Sequence, residues 1–203
     1  MRLRTLALLS SLVFGVVSHA QSAGIGIKGG ALVSTVKALH LRATPIPGAT
    51  AGIYVPWGFA SLWEIQPEAL VTALGANFTE PDGDRSTVRS IYFQMPVVLK
   101  KYVNNQVNFC LGYQFGKVLA AQEQREDATM DVTEHFNALD MGFVGGAGLD
   151  LDNGLDLSLR AYSSMTPAYV NDNAVFPKHR SVQFTIGYRV LQFKASRRHH
   201  RRG

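Results

Sequence analysis

The feature that most constrains this chain is the segment Leu139 to Tyr162, in which two alternating stretches flank a turn. Through residue 151 every second side chain is apolar or small, and the positions between carry glycine or aspartate, with Val144 as the apolar exception. Asp152-Asn153-Gly154 then supplies residues that tolerate positive φ, as tight hairpins require. The alternation resumes up to residue 162. The segment therefore predicts two antiparallel strands with one apolar and one polar face.

Such a hairpin fits two kinds of fold. In a soluble sandwich the apolar face turns inward, whereas in a membrane barrel it meets lipid and the polar face lines the interior. The polar face here is crowded with glycine, at positions 142, 146 and 148. A narrow lumen needs small residues among its charged ones, so these glycines favour the barrel.

Composition points the same way. The chain has 203 residues, enough for one domain and hardly for two. Charged residues make up 17% of it, below the roughly 25% of a typical soluble domain. Beyond the N-terminus no apolar run reaches the ~18 residues that a membrane helix needs, so any crossing must be made by strands. Cys110 is the only cysteine, which excludes an intramolecular disulfide, and we interpret it as a small filler side chain.

The N-terminus has the pattern of a secretory signal peptide. Arg2 and Arg4 precede an apolar core, residues 6–17, and Ser18-His19-Ala20 follows with small residues at the positions that a signal peptidase reads. We predict cleavage after Ala20. The alternative, a retained anchor helix, is the weaker interpretation because the apolar core is short and the small-residue site follows it at once.

Charge is concentrated at the two ends of the chain. The chain holds 20 basic and 15 acidic residues, but the signal holds two of the basic ones and the tail 194–203 holds five. The body from Gln21 to Phe193, which we predict to be the barrel, is therefore close to neutral. A basic face for DNA or RNA is not expected. We favour a solvated tail over one that binds phosphate-rich partners, and neighbouring arginines disfavour metal at His199 and His200.

Eight strands can be counted, joined by connections that alternate between long and short. Short turns are predicted at Trp57, Asn104 and Asn153, and long connections at 37–47, 78–87, 121–138 and 163–179, the third with a short helix as an option. This alternation is typical of outer-membrane barrels, whose turns are periplasmic and whose loops are extracellular. We predict an all-β fold, a single antiparallel up-and-down transmembrane β-barrel of about eight strands. The predicted strands cover residues 24–33, 48–55, 60–77, 88–103, 106–120, 139–151, 155–162 and 180–193.

The polar faces of these strands place charges of both signs in the predicted lumen. A soluble barrel of the lipocalin kind also has eight strands but would enclose an apolar cavity. Mixed signs fit a filled, ion-paired interior, since isolated charges there would be costly, and eight strands leave no open pore. The residues that we predict to form structural lumen ion pairs are Lys28, Glu64, Glu68, Lys100, Asp150, Asp156, Arg160 and Arg189.

Four segments in this order resemble the PorT-like outer-membrane β-barrel proteins of Bacteroidetes. They are residues 63–78 (WEIQPEALVTALGANF), 91–103 (IYFQMPVVLKKYV), 108–121 (NFCLGYQFGKVLAA) and 181–190 (SVQFTIGYRV). The chain departs from the family where residues 109–113 replace a common Gly-Pro-Tyr, and in the tail beyond the last strand. The resemblance implies an outer-membrane location in a Gram-negative bacterium. Because the family's namesake is linked to protein export, it also implies an accessory role in protein secretion.

The sequence predicts no catalytic, cofactor-binding or metal-binding residue. Glu64 and Glu68 with facing arginines resemble a carboxylate pair, but no nucleophile or placed base accompanies them. His40, His135 and His179 are predicted in loops, and Ser163 and Ser164 at a loop edge. Three functions remain open: a structural or adaptor protein of the envelope, a secretion subunit, and a barrel enzyme acting on lipid or peptide. The expected partners are outer-membrane lipid and envelope or secretion proteins.

Overall fold

The computed structural model describes residues 22–37, 42–79, 85–125, 128–169 and 178–194. The predicted signal peptide and residues 195–203 of the predicted tail lie outside them, and so does His40, so these assignments stay predictions. Within the described ranges the chain forms ten strands and one turn of 3-10 helix, Thr133–His135. The strands are β1 (Ser22–Lys37), β2 (Arg42–Tyr54), β3 (Trp57–Ala60), β4 (Trp63–Thr79), β5 (Arg85–Tyr102), β6 (Val107–Arg125), β7 (Ala128–Asp131), β8 (Leu139–Asp150), β9 (Leu155–Ser164) and β10 (Lys178–Lys194).

Eight of these strands are long and form a closed antiparallel ring in the order β1, β2, β4, β5, β6, β8, β9, β10. The ring closes because β10 pairs with β1 along both strands, from Ser22 opposite Lys194 to Lys37 opposite Lys178. Closure leaves the ring without an unpaired sheet edge. Such an edge would be costly in the hydrocarbon of a membrane, where its backbone groups find no hydrogen-bond partner. The prediction of a single antiparallel barrel of about eight strands is confirmed.

The two short strands extend the ring at its ends. β3 continues the line of β2 after a break at Val55 and Pro56, since it pairs with β1 and β4 as β2 does. β7 pairs with the last residues of β6 and carries that strand beyond the ring. Within the described ranges no helix is long and apolar enough to cross a membrane.

Two of the predicted connections are wrong, because the barrel accepts proline within and directly before its strands. Most of the predicted loop 37–47 belongs to β2, whose pairing with β4 shifts register between Pro45 and Thr50. A missing N–H is tolerated at such an irregularity. The predicted turn at Trp57 is instead the start of β3, and the chain reverses at Ser61 and Leu62.

The remaining predicted boundaries differ by smaller amounts. In the predicted loop 121–138, β6 runs on to Arg125 and the optional helix is one 3-10 turn. β10 begins at Lys178, two residues before the predicted start, and it includes Lys194, which the prediction gave to the tail. The connections at 103–106 and 151–154 are short, as predicted, and Gly154 has a φ of 89° in the second of them.

The outer surface of the ring carries an apolar band. On β5 every outward side chain between Arg89 and Lys101 is apolar, a stretch of nine residues from 91 to 99. A tilted transmembrane strand needs about 9–11 residues, so the band matches the thickness of a bilayer core. Large apolar side chains stay exposed all around it, which water would penalise and lipid would not.

The band can be tested at Met95, which lies at its middle on β5 and is 47% exposed. Met95→Arg should lower the free energy of unfolding by about 2–4 kcal/mol, because it buries a charge at the bilayer midplane. Denaturant unfolding of the protein in lipid bilayers measures this loss.

Val103→Arg is the matched control, since Val103 is also exposed but lies beyond Lys101, past the band. Near an interface the same substitution should cost at most about 1 kcal/mol. Equal and small losses at both positions would contradict a membrane-embedded band.

Candidate functional site in the barrel lumen

Strand alternation turns all eight predicted lumen residues inward. Seven of them are buried, and the Arg189 side chain retains 15% of its exposure. Four are cations and four are anions, so their formal charges cancel. The structure arranges them in two connected groups, one around Glu68 and one around Lys100.

In the first group Glu68 of β4 accepts three hydrogen bonds on one oxygen. Lys28 Nζ donates to Glu68 Oε1 at 2.9 Å, Arg160 Nη1 at 2.7 Å and Gln66 Nε2 at 2.6 Å. Lys28 comes from β1 and Arg160 from β9, on the opposite wall. A buried carboxylate between two cations is compensated rather than isolated, which is the condition for burying it at tolerable cost.

In the second group Lys100 of β5 meets three carboxylates. Its Nζ lies 3.0 Å from Asp156 Oδ2, 3.2 Å from Asp150 Oδ2 and 3.6 Å from Glu64 Oε1. Asp150 and Asp156 are direct cross-strand partners in the pairing of β8 with β9. Like charges directly opposite each other are destabilising, so Lys100 supplies the charge that lets this pair exist.

Three further side chains complete the second group. Arg189 of β10 pairs with Asp150 and, at 3.3 Å, with Glu64. The Tyr102 hydroxyl donates to Asp150 at 2.6 Å, and the Asn108 amide donates to it at 3.0 Å. Asp150 therefore has hydrogen-bond donors from β5, β6 and β10.

The ring makes room for a tyrosine between the groups. Tyr54 of β2 is fully buried, and Lys28 Nζ lies 4.7 Å from the centroid of its ring. A Cβ at Gly26 would collide with this ring, and one at Gly187 would stand 3.1 Å from it. With Tyr54, each of the eight long strands contributes a side chain to the lumen network.

Asp140 of β8 is a further charged lumen residue, which the sequence prediction placed on the polar face of its strand but did not include among the lumen ion pairs. Its carboxylate accepts hydrogen bonds from Tyr162 and Thr166, each at 2.9 Å, and from Ser164. Among the described residues no lysine or arginine lies within ion-pair distance of it. Its place on the same face as Asp150, at an even spacing, is the signal that could have identified it.

Two residues predicted in or beside loops lie inside the barrel instead. His179 faces inward from β10 and is buried, with its Nε2 3.2 Å from the Tyr92 hydroxyl. The prediction failed because it started the last strand one residue too late to include His179. Ser164 is the last residue of β9 and is also buried.

An apolar cluster, which we call the cap, occupies the lumen at the end of the barrel with the longer connections. Phe136 follows the 3-10 turn and packs on the Tyr169 ring at 4.6 Å between centroids, and its backbone forms a bridge to the same residue. Residues 132–138 and 165–169 are thus folded over the lumen. The buried members of the cap include Leu32, Val36, Leu74, Phe78, Val88, Tyr92, Val118, Val132 and Phe136.

The cap is tied to the ring through Thr133. Its hydroxyl accepts a hydrogen bond from the Ala121 N–H at 2.8 Å, and its own N–H donates to Asp131 at 2.9 Å. Hydrogen bonds from Thr133 hold the pKa of the exposed Asp131 carboxyl below its ordinary value. Asp131 is therefore charged at neutral pH, and its charged carboxylate is the form that accepts the hydrogen bonds of this turn.

At the opposite end the lumen opens into a polar cavity of about 510 Å³, which we call the vestibule. Glu64, Tyr102, Asp150 and Arg189 form its floor, and the turns at 103–106 and 151–154 contribute to its rim. The lumen thus has the cap at one end and the ion-paired groups below the vestibule at the other.

Residues 19–170 match the family model described as an outer membrane protein beta-barrel domain. The chain belongs to this family. Membership places the protein in the outer membrane of a Gram-negative bacterium. The end with the short turns is then periplasmic and the capped end extracellular.

Solved structures agree with the fold of this outer-membrane barrel. Neisserial surface protein A is similar with a TM-score of 0.55 at 10% identity, over 83% of this chain and 98% of that one. Ail of Yersinia pestis aligns with a TM-score of 0.48 at 13% identity, over 86% of this chain and 99% of that one. At such identities the first likeness supports the fold alone. A comparison with curated proteins found no match.

Within the residues that the structure describes, no group of three or more histidine, cysteine, aspartate or glutamate side chains is placed so that it could hold a metal ion. Ser164 donates to Asp140, while the His179 ring contacts Tyr92, so serine and histidine are not paired as nucleophile and base.

Lys100→Met tests the second ion-paired group. It leaves three carboxylates around a neutral side chain, and removing one partner of a buried pair costs about 3–5 kcal/mol. We expect a loss of this size in the free energy of unfolding, measured by denaturant titration in lipid bilayers.

The neighbouring Lys101 supplies the control. It points outward and its Nζ lies 4.4 Å from the centroid of the Trp63 ring, a contact worth about 0.5–1 kcal/mol. If Lys101→Met destabilised the barrel as much as Lys100→Met, the central role of Lys100 would be refuted.

Proposed function

We propose that this protein is a closed, non-enzymatic barrel with a structural or adaptor role in the outer membrane. The observation that carries the proposal is the filling of the lumen, with ion-paired side chains in one half and the cap in the other. A barrel of eight strands has an interior just wide enough for side chains to fill. Such a barrel offers solutes no path, so its function must be exercised on its surfaces.

Two surfaces are available for an adaptor role. At the periplasmic end the vestibule presents polar side chains and exposed turn residues such as Asn105 and Asp152. At the other end, β7 and the 3-10 turn carry Asp131 and Glu134, both exposed. Because the vestibule is concave and polar, we propose it as the contact site for a periplasmic protein.

The lumen geometry also supports a non-enzymatic role. Ser164 is buried, and its hydroxyl lies within hydrogen-bond distance of Asp140 and of the Thr166 carbonyl. The buried His179 ring contacts Tyr92, so it does not serve this serine as a base.

A closed lumen predicts that the protein conducts no ions across a bilayer. The full-length protein inserted in planar lipid bilayers should produce no stepwise conductance above that of the bare membrane, since the ion-paired side chains and the cap block the path. A 16-stranded porin prepared in the same detergent serves as the positive control. Reproducible conductance steps from the purified protein would overturn the proposal.

The resemblance to PorT-like proteins supports a second candidate, an accessory role in protein secretion. In that role the vestibule would receive an export component from the periplasm. We expect a photo-crosslinking residue at position 105 or 152 to capture a defined set of periplasmic proteins in cells. The same residue at position 111, in the lipid-facing band, should capture none of them.

Deletion separates the two candidates. Loss of secreted proteins from the medium, together with capture of export components, would support the accessory role. An unchanged set of secreted proteins would exclude secretion and leave the structural role. Capture of nothing at positions 105 and 152 would remove the adaptor role at the vestibule.

A further inference from the structure

Three cations lie side by side on the outer surface of the barrel, where β1 meets β10. Lys37 and Lys178 are direct cross-strand partners, and Arg180 lies two residues further along β10, opposite Thr35. All three side chains are exposed and point away from the lumen. They lie at the extracellular end of the strands, next to the longer connections.

This arrangement is unfavourable for an isolated protein. Like charges directly opposite each other destabilise a strand pair. Within the described ranges no acidic side chain forms an ion pair with any of the three cations. An external anion would remove this repulsion. The side chains around the three cations indicate how deep in the membrane that anion would lie. Val33 and Val182 lie on the same outer face, immediately toward the membrane, and both are half exposed.

A groove in the outer surface begins at the same place. It has a volume of about 370 Å³, and small side chains form its floor because they leave a depression between larger neighbours. The groove runs from Arg180 down into the apolar band, so one end is cationic and the rest is suited to hydrocarbon. Its lining includes Val33, Thr35, Pro45, Ala161, Arg180 and Val182.

We propose that this groove binds a phosphorylated, acylated lipid of the outer leaflet. Its phosphate would lie among Lys37, Lys178 and Arg180, and an acyl chain would follow the groove past Ala161. A soluble acidic protein would meet the three cations but could not enter the groove, which faces the hydrocarbon. The proposal depends on the barrel's orientation in the membrane and is independent of whether the lumen is closed.

Native mass spectrometry of the full-length protein in detergent tests the site. The probes are bisphosphorylated lipid A, the same lipid with its phosphates removed, and inorganic phosphate. We expect retention of the phosphorylated lipid alone. Each cation replaced by glutamine should weaken retention about fivefold, since a lysine or arginine near an anionic lipid surface contributes about 1 kcal/mol.

Two further variants distinguish the parts of the proposal. Lys101→Gln removes the same charge from the periplasmic end of the band and should leave retention unchanged. Ala161→Phe fills the groove while keeping the three cations, and it should reduce retention of the lipid. Heat-dependent migration on gels checks that each variant is folded.

Several outcomes would overturn the site. Equal retention by the wild type and a variant with all three cations replaced would show that these side chains do not hold the lipid. Equal retention of the phosphorylated and dephosphorylated lipids would exclude phosphate recognition. Retention of inorganic phosphate as strong as that of the lipid would reduce the groove to a simple anion site.

Discussion

The contact on which the rest of the lumen depends is that of Lys100 with Asp150, Asp156 and Glu64. The pairing of β8 with β9 sets two aspartates directly opposite each other, and the cation that separates their charges comes from β5, across the barrel. The register of strand pairing in the ring and the ion-pair network in the lumen therefore depend on each other. A one-residue slip of β5 would turn Lys100 to the lipid and Lys101 to the lumen. The network thus contributes specificity of register as well as energy, and specificity is the better-supported contribution, since buried ion pairs are weak grounds for stability.

The strand alternation and the inward placement of eight charges could be predicted because each depends on a period of two within one strand. The turns near Asn104 and Asn153 could be predicted because they depend on a few adjacent residues that favour tight turns. What could not be predicted is contact between strands distant in sequence. That Arg160 meets Glu68, 92 residues away, or that Tyr54 lies on Gly26 and Gly187, depends on ring closure and shear. A boundary failed at Pro45, where proline indicates a break and the barrel instead tolerates it at an irregular pairing. The turn predicted at Trp57 lies four residues later, at Ser61 and Leu62. His179 was missed because its strand starts earlier than the apolar pattern does.

The two surfaces of the barrel handle charge in opposite ways. In the two ion-paired groups of the lumen four cations and four anions cancel, and each lies within reach of a partner of opposite sign, while Asp140 is held by hydroxyl donors. On the outer face at the extracellular rim, Lys37, Lys178 and Arg180 share one sign and adjoin one another. Water can screen such a cluster only partly at a lipid boundary. The contrast is explained if charges in the interior must be balanced within the protein, whereas charges at the rim are balanced by the anionic headgroups around them.

The charged side chains of the lumen are also needed before the barrel folds, while the chain is being exported. Strand β5 has 18 residues and β4 has 17, close to the ~18 apolar residues that make a membrane-spanning helix. If the inward positions were apolar as well, each strand would become a continuous hydrophobic run. Such a run would be retained as a helix in the first membrane that the chain crosses. Placing Glu64, Gln66 and Glu68 in β4, and Gln94 and Lys100 in β5, interrupts both runs. Export therefore requires polar side chains at these inward positions. Eight strands bring those side chains into a narrow lumen, where they can be buried because groups of opposite charge neutralise each other.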